Sequence, residues 1–187
     1  MAMADPNPRR PHPDNTITRM APNVPVLGER QRVYLLPGEL HATAEPCQIS
    51  TILGSCVSIC LWDRRLHAGG MNHFLLPASR EGERASLRFA DVATKALMER
   101  LQLLGCRVPN LQAKIFGGSA MFENQNRRAI SLGAQNVATA LDLMKNVGIP
   151  VIAQETGGNQ GRKIVFNTDD GLAWSRQIGN GNQSNGF

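Results

Sequence analysis

With 187 residues, 20 lysines and arginines against 15 carboxylates and a net charge of +5, the chain is long enough to bury one core without disulfide or metal staples. Its basic residues are scattered, with no aromatic-rich basic stripe on which bases could stack, which argues against nucleic acid and suits a mildly acidic protein partner. No apolar run of about 18 residues is present to insert into a bilayer and no secretory signal is evident, so a soluble, cytoplasmic protein with four free thiols is expected.

Residues 1–28 are dense in proline, asparagine and arginine and poor in large apolar groups. Such a stretch cannot repay the entropy of ordering, so it reads as a disordered leader. Residues 29–178 form the expected single folded domain, and 179–187 (GNGNQSNGF) read as a disordered tail. Inside the domain, residues 32–36 (RVYLL) predict a first strand, stopped by Pro37-Gly38. Residues 49–53 and 57–62 predict two more, and 63–66 a polar turn.

A helix is predicted over 86–104, where Phe89, Ala90, Ala93, Ala96, Leu97, Leu101 and Leu104 recur at helical spacing between Ser86 as cap and Gly105 as stop. A second is predicted over 134–147, with Val137, Ala140, Leu141 and Met144 on one face, ended by Gly148 and kept from resuming by Pro150. Residues 113–116, 151–154, 163–167 and 172–175 are short apolar or β-branched runs between glycines and polar turns, and read as strands. The fold class expected is α/β: a mixed β-sheet sandwich with two long helices packed on an outer face.

The chemistry concentrates in residues 47–73. Cys56 follows Gly54-Ser55, a small-residue turn whose backbone N–H groups could stabilise a thiolate and later an oxyanion. His73, after Gly69-Gly70-Met71-Asn72, would supply the base, and the hydroxyl pair Ser50 and Thr51 lies on the strand before the turn. The bland reading of Cys56 is a small core residue, which is how Cys47, Cys60 and Cys106 are taken. A zinc site built from Cys56, Cys60 and His73 lacks a second ligand pair at a zinc-finger spacing. His12 falls in the leader, while His41 and His67 read as solvated loop residues. The glycine-rich segments 117–122 and 156–163 lack phosphate-loop spacing, so Gly117 and Gly118 are assigned to lining a cleft beside the cysteine.

Six motifs, LGSCV (53–57), GGMNHFLLP (69–77), RFAD (88–91), AKIFGGSAM (113–121), GAQN (133–136) and ETGGNQGRK (155–163), make the chain resemble the chemoreceptor glutamine deamidase family, CheD. That resemblance implies a sandwich similar to cysteine-dependent toxin deamidases and a Cys-His-Thr triad. The cysteine then falls on Cys56 and the histidine on His73. The family threonine six residues before the cysteine falls on Ser50, with Thr51 one step along as the alternative third member. Phe89 and Glu155 stand where the family commonly has tyrosine and aspartate. Gly54, Ser55, Gly117 and Gly118 are the expected oxyanion and cleft residues. The implied reaction converts receptor glutamines to glutamates without metal or cofactor. Implied partners are cytoplasmic helices of chemoreceptors and a chemotaxis phosphatase of the CheC type. A receptor- or phosphatase-binding adaptor and a receptor glutamyl methylesterase are the alternative functions.

Overall fold

A computed structural model describes residues 30–120, 130–178 and 184–186. The expected leader lies outside the described residues, as does most of the expected tail. Along Cys47–Leu53 (β3), Cys47, Ile49, Thr51 and Leu53 are buried while the residues between them face outward, the period of two of a strand lying on a core. β3 pairs in parallel with Gln31–Tyr34 (β1) and antiparallel with Gly161–Asn167 (β8). Ala173–Ile178 (β9) and Ser184–Gly186 (β10) complete this first sheet in the order β1-β3-β8-β9-β10. Residues 184–186 thus pair with β9, where the sequence predicts a disordered tail.

The second sheet comprises Glu39–Thr43 (β2), Val57–Asp63 (β4), Ala68–His73 (β5), Leu111–Gly117 (β6) and Val151–Thr156 (β7), in the order β2-β5-β4-β6-β7. Nearly every residue of β4, β5 and β6 is buried, because this sheet is covered on both faces. Its inner face meets the first sheet through Cys60, Met71, Phe116, Ile49, Ile164 and Phe166. Its outer face carries the helices Ala90–Leu103 (α1) and Leu132–Val147 (α2), which close a second core around Ile59, Leu61, Leu97, Leu101, Ala140 and Met144. Fully burying a side chain such as Leu97 or Leu101 contributes roughly 2 kcal/mol each. The architecture is therefore the mixed α/β sandwich with helices on one outer face that the sequence predicts.

Three elements besides β10 differ from the prediction. β2 and β5 are strands, although ELHAT and AGGMNH carry little β propensity. The glycines of β5 answer to packing instead: a Cβ on Gly70 would come within 2.8 Å of Leu97 on α1 and 2.6 Å of the His41 carbonyl oxygen. α1 begins at Ala90 rather than near Ser86, since the Arg88 carbonyl is engaged by the Leu75 and Leu76 amides and cannot enter a helix ladder. By contrast α2 is bounded as its sequence signals, with Ser131 accepting from the Ala134 amide at 2.9 Å and Gly148 left-handed at φ 72°.

Candidate active site

The turn at residues 54–56 is where the chain leaves the first sheet at the end of β3 and enters the second at the start of β4. Val57 and Phe74 exchange two backbone hydrogen bonds, at 3.1 and 3.0 Å, and Cys60 pairs with Met71. That common register sets Ser58 opposite His73 and puts Cys56 diagonally across from His73 on the same, inward face. Cys56 is half-buried, whereas Cys47, Cys60 and Cys106 are buried. The nucleophile candidate and the base candidate thus share one end of the layer between the two sheets.

The hydroxyl that reaches His73 belongs to Thr51. Its Oγ1 lies 2.8 Å from His73 Nδ1 and 2.8 Å from the Leu35 carbonyl oxygen. A hydroxyl carries one proton, and the carbonyl can only accept, so Thr51 donates to Leu35 and accepts from Nδ1–H. The ring is then the Nδ1–H tautomer. Its Nε2, buried and without a partner among the described residues, keeps a free lone pair. Ser50, the first-named third member, points to the other face of β3, its Oγ 3.5 Å from the Val33 carbonyl oxygen. Adjacent residues of a strand alternate faces, so only one of this hydroxyl pair can face the histidine, and the one that does is Thr51, the alternative of the two.

Burial works on both partners. It pushes the Cys56 thiol up, with the residue's own backbone N–H opposing it. Burial also pushes His73 down to about 4, against partial opposition from the Leu35 carbonyl and the Glu39 carboxylate. Both shifts favour neutral forms, a thiol beside an imidazole. An ionised sulfur at rest, the form in which cysteine is nucleophilic, is not what this environment stabilises.

The surrounding backbone fixes the cysteine turn from three sides. The Gly118 amide donates to the Cys56 carbonyl at 2.8 Å, and the Ser119 amide to the Gly54 carbonyl at 2.8 Å. Gly117, at φ 110°, lies so close that a Cβ there would overlap the Cys56 carbonyl oxygen. Gly117 and Gly118 therefore hold the turn. The Gly118 N–H is already engaged, whereas the Cys56 N–H lies beside its own sulfur. The β7–β8 loop supports this segment: the Gly157 amide donates to the Gly117 carbonyl at 2.9 Å, and buried Arg162 donates to the carbonyls of Glu155 and Gly157. On the helix side, Asn136 donates to the Ser55 and Leu75 carbonyls.

Sequence reasoning missed Asn136, Arg162 and the Leu35 carbonyl as parts of this site. A polar residue on the apolar face of α2 was the available signal for Asn136, and an arginine inside a strand for Arg162. The Leu35 carbonyl leaves no trace in residue types. His41, taken as a solvated loop residue, lies in β2 half-buried, and burial lowers its pKa. His67 lies in the turn after β4, its Nδ1 2.9 Å from the Asp169 carbonyl oxygen. Cys60 is fully buried in the layer between the sheets, its thiol driven far above the ordinary range by desolvation. Among the described residues no three His, Cys, Asp or Glu side chains gather into a metal-holding group.

Comparison with known proteins places the chain among chemotaxis proteins. The family model for CheD chemotactic sensory transduction matches residues 75–177, a stretch that begins just past His73. A probable chemoreceptor glutamine deamidase CheD 1 of Anaeromyxobacter dehalogenans is 46% identical over 151 residues, covering 81% of this chain and 87% of the relative. A probable chemoreceptor glutamine deamidase CheD of Rhodospirillum rubrum is 45% identical, covering 78% and 81% respectively. The chemoreceptor glutamine deamidase CheD of Thermotoga maritima is 37% identical, covering 78% of this chain and 92% of the relative.

Proposed function

Because this chain belongs to the CheD family, we propose that it is a hydrolase that deamidates glutamine side chains of chemoreceptors, with Cys56 as nucleophile, His73 as base and Thr51 as the group that orients the imidazole. The observation that carries the assignment of roles is the Thr51 hydrogen bond to His73 Nδ1 at 2.8 Å. It leaves Nε2 unprotonated, on the ring edge that a general base must use.

In the first half-reaction, the Cys56 sulfur attacks the carboxamide carbon as His73 Nε2 takes the thiol proton. The C=O electron pair moves onto oxygen, which the Cys56 backbone N–H stabilises. Collapse of this intermediate breaks the C–N bond, and the Nε2–H proton goes to the departing nitrogen, so ammonia leaves and a thioester remains. A water then attacks the thioester carbon while Nε2 takes its proton. The C–S bond breaks, the proton returns to sulfur, and the product is a glutamic acid side chain that ionises in water. One water is consumed and one ammonia released per glutamine. Throughout, the Thr51 oxygen accepts a hydrogen bond from Nδ1–H and so stabilises the transient imidazolium, the part a triad's third member plays.

Among the described residues no helix is long and apolar enough to cross a membrane, which suits an enzyme working on the receptors' cytoplasmic helices from solution. A CheC-type phosphatase is the second partner proposed, and co-purification with the Cys56→Ala protein tests it apart from catalysis. The enzymatic reading is tested by incubating a receptor cytoplasmic fragment with the full chain and following the deamidation mass gain together with ammonia. Conversion is expected with the wild-type protein and not with Cys56→Ala. Undiminished conversion by Cys56→Ala overturns the nucleophile assignment, and release of methanol in place of ammonia redirects it to ester hydrolysis.

A further inference from the structure

We propose that Asn136 is a positioning residue of this site, tying the turn that carries Cys56 to the strand that carries His73; the proposal rests on the Cys56–His73 reading above. Asn136 lies on α2, far from both elements in sequence, and its side chain is fully buried. Its Nδ2 donates to the Ser55 carbonyl at 2.9 Å and to the Leu75 carbonyl at 2.8 Å. Ser55 immediately precedes Cys56, and Leu75 follows His73 by two residues.

Those two carbonyls mark where the β4–β5 ladder stops. The last bonded rung is Val57 with Phe74; beyond it the Ser55 carbonyl, two residues before Val57, and the Leu75 carbonyl, one residue after Phe74, both turn to the Asn136 amide. Two carbonyl oxygens converging on one point repel. A primary amide resolves this, since a single nitrogen offers two N–H groups in one plane without adding charge. Asn136 thus bridges the two strands just past the end of their ladder, at the place where the nucleophile and the base must keep their separation.

The residue type is hard to explain by packing. Its neighbours on the buried row of α2 are Gly133, Ala140 and Met144, and the Asn136 Oδ1 is buried without a partner among the described residues. An amide in that row carries a desolvation penalty that an alanine or leucine would avoid. The two donated bonds offset it, and both fall on the elements bearing Cys56 and His73. Misplacement of a reacting pair by about 1 Å can reduce turnover on the order of a hundredfold.

The test compares the wild-type chain with Asn136→Ala, Asn136→Ser, His73→Ala and, as a packing control on the same buried row, Ala140→Gly. Two quantities are read: kcat and KM on a receptor cytoplasmic fragment, and the pH dependence of iodoacetamide alkylation at Cys56, which needs no receptor. Asn136→Ala is expected to lower kcat about a hundredfold with KM within about twofold, and its alkylation profile should move onto that of His73→Ala. Ala140→Gly should keep the wild-type profile. Asn136→Ser, with one proton for two carbonyls, should fall between, and it supplies the measurement if the alanine variant does not fold. A wild-type profile for the folded Asn136 variants, while His73→Ala shifts it, overturns this proposal alone. Loss of activity in Asn136→Ala and Ala140→Gly alike, in step with their melting temperatures, also overturns it. A wild-type profile for His73→Ala removes the Cys–His reading, and the role of Asn136 with it.

Discussion

Thr51 on β3 and His73 on β5 meet across the two sheets, Oγ1 to Nδ1 at 2.8 Å, with the hydroxyl proton directed to the Leu35 carbonyl. Truncating Thr51 to alanine frees the ring to rotate and to adopt the other tautomer, in which Nε2 carries the proton and cannot accept one from sulfur. Thr51→Ala is therefore expected to lower kcat by roughly 10- to 100-fold, Thr51→Ser to retain most of it, and Ser50→Ala to stay near wild type. Deamidation kinetics of the three variants check this. A larger loss at Ser50 would return the role to that residue.

Acid should weaken the fold through His73. Its pKa is about 4 in the folded chain against an ordinary 6.5, so between these values the unfolded chain binds the proton and the folded chain does not. The contribution is fully present above pH 6.5 and is lost as pH falls from 6.5 towards 4. Between pH 7.5 and 5 this amounts to about 2 kcal/mol. Urea unfolding at the two pH values, for wild type and His73→Asn, isolates the effect. The variant, with nothing to titrate at that position, should lose about 2 kcal/mol less on acidification.

The same pair shows what a sequence can and cannot reveal of this site. Motif spacing identified Cys56 and His73 as candidates because thiol, imidazole and small-residue turn sit close together in the chain. Which of Ser50 and Thr51 faces the histidine depends on which face of β3 is turned inward, and Thr51 lies between buried Ile49 and Leu53 in the same alternating set. The helices were legible from their apolar periodicity, and α2 from its caps as well. β5 was not, because its glycines are selected by the close approach of α1, a tertiary demand that overrides strand propensity. Asn136 stayed hidden for a related reason: its partners are backbone carbonyls that only folding brings together.

Gly117 should not tolerate a side chain. Its φ of 110° is rarely adopted by other residues, and a Cβ would overlap the Cys56 carbonyl oxygen. Gly117→Ala must therefore both strain its own backbone and push the cysteine turn outward. A loss of about 2 kcal/mol or more is expected, with a lower Tm and a kcat that falls further than the remaining folded fraction explains. Gly148→Ala serves as comparison: it also has positive φ, but open space surrounds its Cβ position. That variant should lose stability and keep its turnover.

Thiol chemistry separates Cys56 from the other three cysteines before any substrate is added. Alkylation requires access and a thiolate. Cys47, Cys60 and Cys106 are buried, and desolvation drives Cys60 well above the ordinary range and Cys106 up to about 11. Burial raises the Cys56 thiol as well, but Cys56 alone among the four is only half-buried, so access sets it apart, with His73 as the proposed base that takes its proton during attack. The native protein should thus take up one equivalent of iodoacetamide, mapped to Cys56 by peptide mass spectrometry, and deamidase activity should fall in proportion to labelling. Cys56→Ser should take up none over the same period. Labelling that spreads over several cysteines without loss of activity would mean that the half-buried sulfur of Cys56 is not the one that attacks the amide.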